Sequence, residues 1–165
     1  MKAASDVAWW KGQQGEWYVV VQVALFMLII FGPPTLPGFS EWPPAMAPFA
    51  SYLGMVLIVG GIMFIGAGLW ELRSQLTPLP YPKEGSVLIT CRAYAIVRHP
   101  IYTGGIFMAF GWALFIHGWL TLGYAVLLLV FLDIKSRREE VWLLQKFPAY
   151  AAYRKRVRRL IPFLY

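Results

Sequence analysis

Two short clusters hold most of the ionisable groups in this chain that could do chemistry. Val97-Arg98-His99-Pro100-Ile101-Tyr102-Thr103-Gly104-Gly105 sets a guanidinium, an imidazole, a helix-starting proline and a phenol directly before an apolar run; further on, Glu139 and Glu140 stand side by side. Ionisable groups at the mouth of an apolar helix are costly unless they face protein, ligand or water, which makes them functional candidates. Each also has a simpler explanation. Arg98 could snorkel to a membrane interface, His99 could bond a neighbouring helix, Tyr94 and Tyr102 could be interfacial aromatics, and Glu139 and Glu140 could pair along their own helix with Lys135 or Arg137. What decides is how the rest of the chain positions them.

The composition makes those positions membrane-facing. Of 165 residues, 59% are hydrophobic and 14% charged, and the mean hydropathy is +0.57, far from soluble averages. We expect a single all-α integral membrane domain over residues 1–165, with 1–70 an N-terminal two-helix part and 71–165 the part that carries the chemistry. About four transmembrane helices are expected: Glu16 to Gly32, Pro48 to Trp70, Pro100 to Ile116, and Trp119 to Ile134. The first, third and fourth are short for a span. Gly60, Gly61, Gly66 and Gly68 offer the second span a small-residue packing face, and His117-Gly118 leaves room only for a tight hairpin. The N-terminus, with Trp9, Trp10 and Glu16 before the first apolar run, does not read as a cleaved signal.

Sidedness follows from the basic residues. Two lie before the first span, four between the second and third, and nine from Lys135 to Arg159, whereas the Pro33–Pro48 loop and the hairpin carry none. Both termini are therefore expected in the cytoplasm. That gathers Arg98, His99, the loop from Glu71 to Val97 and the tail at one membrane face. In the loop, Pro78, Pro80 and Pro82 favour an extended path, followed by the β-prone Ser86-Val87-Leu88-Ile89-Thr90, which serves either as a connector or as a strip of backbone donors and acceptors. The fourth span is expected to run on as a helix to Phe147 until Pro148 stops it. A second helix, Ala149 to Arg159, reads as a basic amphipathic element on the membrane surface.

Several classes are excluded by what is missing. The net charge of +7 is explained by membrane sidedness, so no nucleic acid is expected. Neither His99 nor His117 belongs to a metal-ligand cluster, no phosphate-binding glycine loop occurs, no Ser-His-Asp set is evident, and one cysteine, Cys91, permits no internal disulfide. With few spans and no inverted repeat, a secondary transporter is not expected.

From about Leu76 to Tyr165 the chain resembles the isoprenylcysteine carboxyl methyltransferase family of membrane methyltransferases, which includes phospholipid methyltransferase relatives. The likeness rests on the Pro-rich approach, Leu88-Ile89-Thr90, Tyr94, Arg98-His99-Pro100-x-Tyr102-x-Gly104, Glu139-Glu140 with Leu143, Phe147, Tyr150, Tyr153 and Leu160-Ile161-Pro162-Phe163. It implies S-adenosylmethionine as cofactor, held at the cytoplasmic side without a Rossmann domain. Its cofactor contacts fall on Ser86, Val87, Leu88, Ile89, Tyr94, His99, Pro100, Ile101, Tyr102 and Glu139. The substrate-side basic position falls on Lys135, and Arg98 and Glu140 are carried over as catalytic candidates. Glu139 would suit a ribose diol or an ammonium, His99 or Arg98 a carboxylate, and the Val87–Ile89 backbone the edge of an adenine.

Two departures stand out. The family has a glycine and a small residue or proline before the tyrosine, where this chain has Arg92-Ala93, so the turn is expected to be altered; many relatives have glycine where Pro148 stands. The implied activity is methyl transfer to a lipophilic or amphiphilic small-molecule or lipid acceptor in a bacterial or archaeal cell membrane. The alternative is an NADPH-dependent membrane reductase acting on a sterol-like or other lipid, since some sterol reductases share a similar C-terminal region. The sequence does not define an oligomeric state.

Overall fold

The computed structural model describes residues 15–39, 42–73 and 85–165. Among these residues the regular structure is entirely helical: α1 (Glu16–Phe31), α2 (Ala47–Leu72), α3 (Ala93–Ile96), α4 (Pro100–Phe115), α5 (Trp119–Lys146) and α6 (Tyr150–Arg156). Prolines sit in the first turn of α2 and α4, where the missing N–H is no loss. α5 ends at Lys146, ahead of Phe147-Pro148, because the residue before a proline is driven out of helical conformation.

α2 and α5, of 26 and 28 residues, are long and apolar enough to cross a membrane; α1 and α4, of 16 residues each, are shorter apolar helices. At 1.5 Å per residue the short pair reach ~24 Å, less than the ~30 Å hydrocarbon core. Polarity runs inside out: Phe31, Met63 and Tyr52 are exposed, while Arg98, His99, Lys135 and Glu140 are buried. Large exposed apolar surface of this kind marks contact with lipid or another protein.

α4 is the central helix, packed between α2 and α5, with α1 against α5 on the far side. The α2–α4 contact is built on glycines seven residues apart. A Cβ on Gly61 would come 2.7 Å from the Gly104 carbonyl oxygen, one on Gly54 2.6 Å from that of Gly111, and one on Gly68 2.8 Å from the Ile101 side chain. Gly60 and Gly66, expected on the same packing face, are not at the close approach: a Cβ on Gly60 would only reach the Phe107 ring at 3.9 Å, and one on Gly66 would meet nothing within 4 Å. The apolar interior joins Ile29, Ile106, Ala109, Leu128, Leu132 and Leu160.

The expected hairpin between α4 and α5 closes with His117 at φ 55°. Gly118 N–H donates to Ala113 O and His117 N–H to Leu114 O, the paired bonds of a Schellman ending. The His117 ring lies 3.0 Å from Ser51 Oγ and 3.1 Å from Ala47 O, fastening the hairpin to the start of α2.

The tail departs from expectation. The helix expected over Ala149–Arg159 stops at Arg156, because Val97 and Arg158 pair as an isolated parallel bridge and Arg98 N–H donates to Arg158 O at 2.8 Å. Tyr150, Tyr153 and Leu160 are buried, so the apolar side of this segment packs inward and covers the start of α4. The Pro-rich stretch 77–84 lies outside the described residues; Ser86–Thr90 contain neither helix nor strand.

Candidate functional site

A cavity of about 340 Å³ opens where α4 begins. Ser86, Val87, Leu88 and Ile89 line it from the non-helical strip, Tyr94 from α3, Arg98, His99, Pro100, Ile101 and Tyr102 from the start of α4, and Lys135 and Glu139 from α5. These positions are scattered over more than fifty residues of sequence and converge on one chamber. Glu140, one of the catalytic candidates, is absent from its wall.

Local structure explains the convergence. Gly68 lets the first turn of α4 approach α2 closely. Thr103 Oγ1 donates to Leu160 O at 2.6 Å, tying that turn to the tail. The strip is held to the end of α5 by Lys146 Nζ donating to Ser86 Oγ at 2.9 Å. On α5, Glu139 and Glu140 are adjacent, so about 100° of helix rotation separates them. Only Glu139 reaches the cavity.

Glu139 accepts from Tyr102 O–H at 3.0 Å and lies 3.6 Å from His99 Nδ1. The other imidazole nitrogen, Nε2, is 3.3 Å from Glu140. His99 is thus strung between the two carboxylates, and its ring stacks on that of Tyr102 at 5.4 Å and 4°. Neither glutamate forms the intrahelical pair with Lys135 or Arg137 that their spacing allowed. Arg137 pairs with Asp133 at 2.7 Å instead.

Arg98 lines the cavity, yet its donors point elsewhere. Nε donates to Glu140 Oε1 at 2.7 Å, and Nη1 donates to the carbonyls of Arg154 and Val157. A guanidinium engaged in this way closes the C-terminal end of α6, where unpaired carbonyls need partners. Glu140, 2% exposed, also lies within 3.7 Å of Arg154 and 3.6 Å of Arg159. Arg98 and Glu140 form the bracket behind the cavity wall.

The phenols are set by burial. Tyr94, Tyr150 and Tyr153 all have their ionisation pushed up, mainly because they are shielded from solvent, with nearby carboxylates adding to the effect. They stay protonated donors. Tyr153 O–H donates to Tyr94 O at 2.5 Å; the buried Tyr150 O–H, on the cavity wall, has no partner among the described residues.

The turn before Tyr94 carries Arg92 at a position with positive φ. Tyr94 N–H donates to Cys91 O at 3.0 Å, and Arg92 adopts φ 51°, ψ −119°, the first central position of a type II′ turn, normally glycine. The departure from glycine here places strain on Arg92.

Other wall residues were not expected. Val19, Gln22 and Val23 come from α1, Leu69 and Leu72 from α2, and Leu143, Phe147, Tyr150 and Tyr153 from the tail. Of these, Leu143, Phe147, Tyr150 and Tyr153 belong to the family likeness without a contact assigned to them, and Gln22 carried a signal as a polar residue within an apolar run. Nothing distinguishes Val19 or Leu69 from lipid-facing neighbours. Among the described residues, no group of three or more metal-binding side chains occurs.

Residues 49–150 match the phospholipid methyltransferase family. The chain therefore belongs to that family, within the isoprenylcysteine carboxyl methyltransferase-like group of membrane methyltransferases. No curated protein gives a significant match to it. α1 and most of α6 lie outside the matched segment.

Proposed function

We propose that the chain is an S-adenosylmethionine-dependent methyltransferase acting on a lipid or other lipophilic acceptor at the cytoplasmic face of a bacterial or archaeal membrane, with α1, α2, α4 and α5 as four spans and both termini cytoplasmic. The observation that carries this reading is the convergence of the Ser86–Ile89 strip, the start of α4 and Glu139 on one cavity. The reductase alternative gains nothing from the family match.

The wall fits the cofactor chemically. Among the described residues Glu139 is the only carboxylate in it, suited to a ribose diol or an ammonium, and the Tyr150 hydroxyl, unpartnered among those residues, offers a donor. Val87, Leu88 and Ile89 present apolar surface and backbone groups to a base, and His99, Pro100, Ile101 and Tyr102 line the same cavity. A cavity of this size, apolar with a few convergent polar groups, is typical of small-molecule sites. When bound, S-adenosylmethionine supplies a methyl group on a sulfonium; the acceptor's lone pair makes the new bond and the C–S electron pair stays with sulfur.

The chain's own contribution is alignment and exclusion of water. Close alignment of reacting groups is worth up to ~7 to 11 kcal/mol. Lys135 is the cation on the acceptor side. A carboxylate or thiolate acceptor needs no base, whereas an amine must release a proton, and Glu139 with His99 are the wall groups able to take it. Arg98 and Glu140 act as positioning residues that fix His99 and the tail.

The test is transfer itself. Purified protein in liposomes of bacterial lipid, given S-adenosylmethionine labelled in its methyl group, should move label into the organic phase, and Glu139→Ala should lower the rate at least tenfold. Label that stays water-soluble with every lipid tried, from folded protein, would overturn the reading.

A further inference from the structure

The side chain of Lys135 is buried, 2% exposed as a residue. Its ammonium donates to Gln22 Oε1 at 2.6 Å and lies 5.1 Å from the centre of the Tyr102 ring, and it makes no ion pair among the described residues. The carboxylate that the described residues place in the wall, Glu139, is bonded to Tyr102 and beside His99. One helical turn along from Lys135, Glu139 acts on it electrostatically without a direct contact, and a buried ammonium needs its N–H groups bonded. Beyond Gln22, no described residue takes the remaining N–H donors of Lys135.

Gln22 deepens this donor set. Its carbonyl is used by Lys135, while its amide N–H groups have no partner among the described residues. Both side chains face the cavity, so a bound oxyanion would receive donors from α1 and α5 at once. Apolar surface adjoins the pair. The backbones of α1 and α2 do not pack together; in the slot between them Val23 and Leu69 both line the cavity and are 50% and 38% exposed, so apolar surface continues from the cavity outward.

We propose that Gln22 is an acceptor-specificity residue: with Lys135 it clamps one oxyanion of the acceptor's head group while the acyl chains leave through the α1–α2 slot. The acceptor is accordingly an amphiphile with a phosphodiester or carboxylate close to its chains. This rests on the methyltransferase reading and adds to it the head-group chemistry and the part played by α1, which lies outside the family match.

The test is binding in a non-ionic detergent, followed by intrinsic tryptophan fluorescence. The probes are dioctanoyl phosphatidylglycerol, dioctanoyl glycerol with the same chains and no anion, and octanoate; S-adenosylhomocysteine is titrated separately. Wild type should bind the phosphatidylglycerol at least tenfold more tightly than dioctanoyl glycerol, and the octanoate arm shows whether a carboxylate also fills the clamp. Gln22→Leu should remove most of that preference and leave S-adenosylhomocysteine affinity within twofold. Gln22→Glu, which would give Lys135 an internal counter-ion, should abolish the preference with no loss of volume. Equal affinity of wild type for the charged and neutral lipids would overturn the proposal. So would an equal loss of S-adenosylhomocysteine binding in Gln22→Leu, since the clamp would then serve the cofactor's own carboxylate. Absence of S-adenosylhomocysteine binding in wild type would instead count against the methyltransferase reading.

Discussion

Glu139 and Glu140 are neighbours in sequence with different work to do. Glu139 faces the cavity and accepts from Tyr102; Glu140 is sealed behind it as the counter-ion of Arg98. Replacing Glu140 with Gln would leave the guanidinium buried without its anion, a loss of about 3–5 kcal/mol when one partner of a buried pair is removed. Thermal unfolding of Glu140→Gln should show a clearly lowered midpoint. Glu139→Gln should unfold near wild type and bind S-adenosylhomocysteine about 10- to 150-fold more weakly, the equivalent of one charge-assisted hydrogen bond; equal effects of the two substitutions on unfolding would refute the division of roles. Arg98→Lys should not rescue the bracket, because a lysine cannot present the forked donors that reach Glu140 and two carbonyls together. Arg92 is the opposite case. A non-glycine residue held at φ 51° stores about 1–3 kcal/mol, so Arg92→Gly should raise stability by about 1 kcal/mol, measured by chemical unfolding in detergent. A destabilised Arg92→Gly would mean that the side chain contributes more than the strain costs.

At the scale of elements, the α2–α4 contact sets where the signature can sit, because the first turn of α4 rests on Gly68. Gly61→Ala would push a methyl to 2.7 Å from the Gly104 carbonyl, an overpacking worth about 1–3 kcal/mol. Gly66→Ala, with open space around it, should be neutral or mildly stabilising because alanine is the better helix former. Equal losses at the two positions, read from thermal unfolding, would contradict the seven-residue spacing as the basis of the contact. The sequence announced a glycine face on this helix but not which glycines form it, since Gly60 and Gly61 both satisfy a small-residue pattern and only the partner helix selects between them. Helix starts and stops were legible at Pro48, Pro100 and Pro148 because proline acts locally. The true end of α6 was not, because it depends on Val97 pairing with Arg158 from a distant part of the chain.

At the scale of the whole molecule, segments from α1, α2, the Ser86–Ile89 strip, the start of α4, α5 and the tail build one chamber. The contribution of the strip, the signature and Glu139 was readable because their residue types and spacing recur together in the family that the chain resembles. The roles of Arg98 and Glu140 were not, since a charged pair in sequence looks the same whether it faces a ligand or a neighbouring helix. Gln22 was legible only as an oddity, and its meaning needed Lys135 placed opposite it. The central claim is that this chamber holds S-adenosylmethionine. It is tested most directly by titrating S-adenosylhomocysteine into the purified protein in detergent by calorimetry, with Glu139→Ala and His99→Ala alongside. Saturable binding at one site per chain, weakened at least tenfold by each substitution, is the expected result; no heat of binding to folded wild type would contradict it.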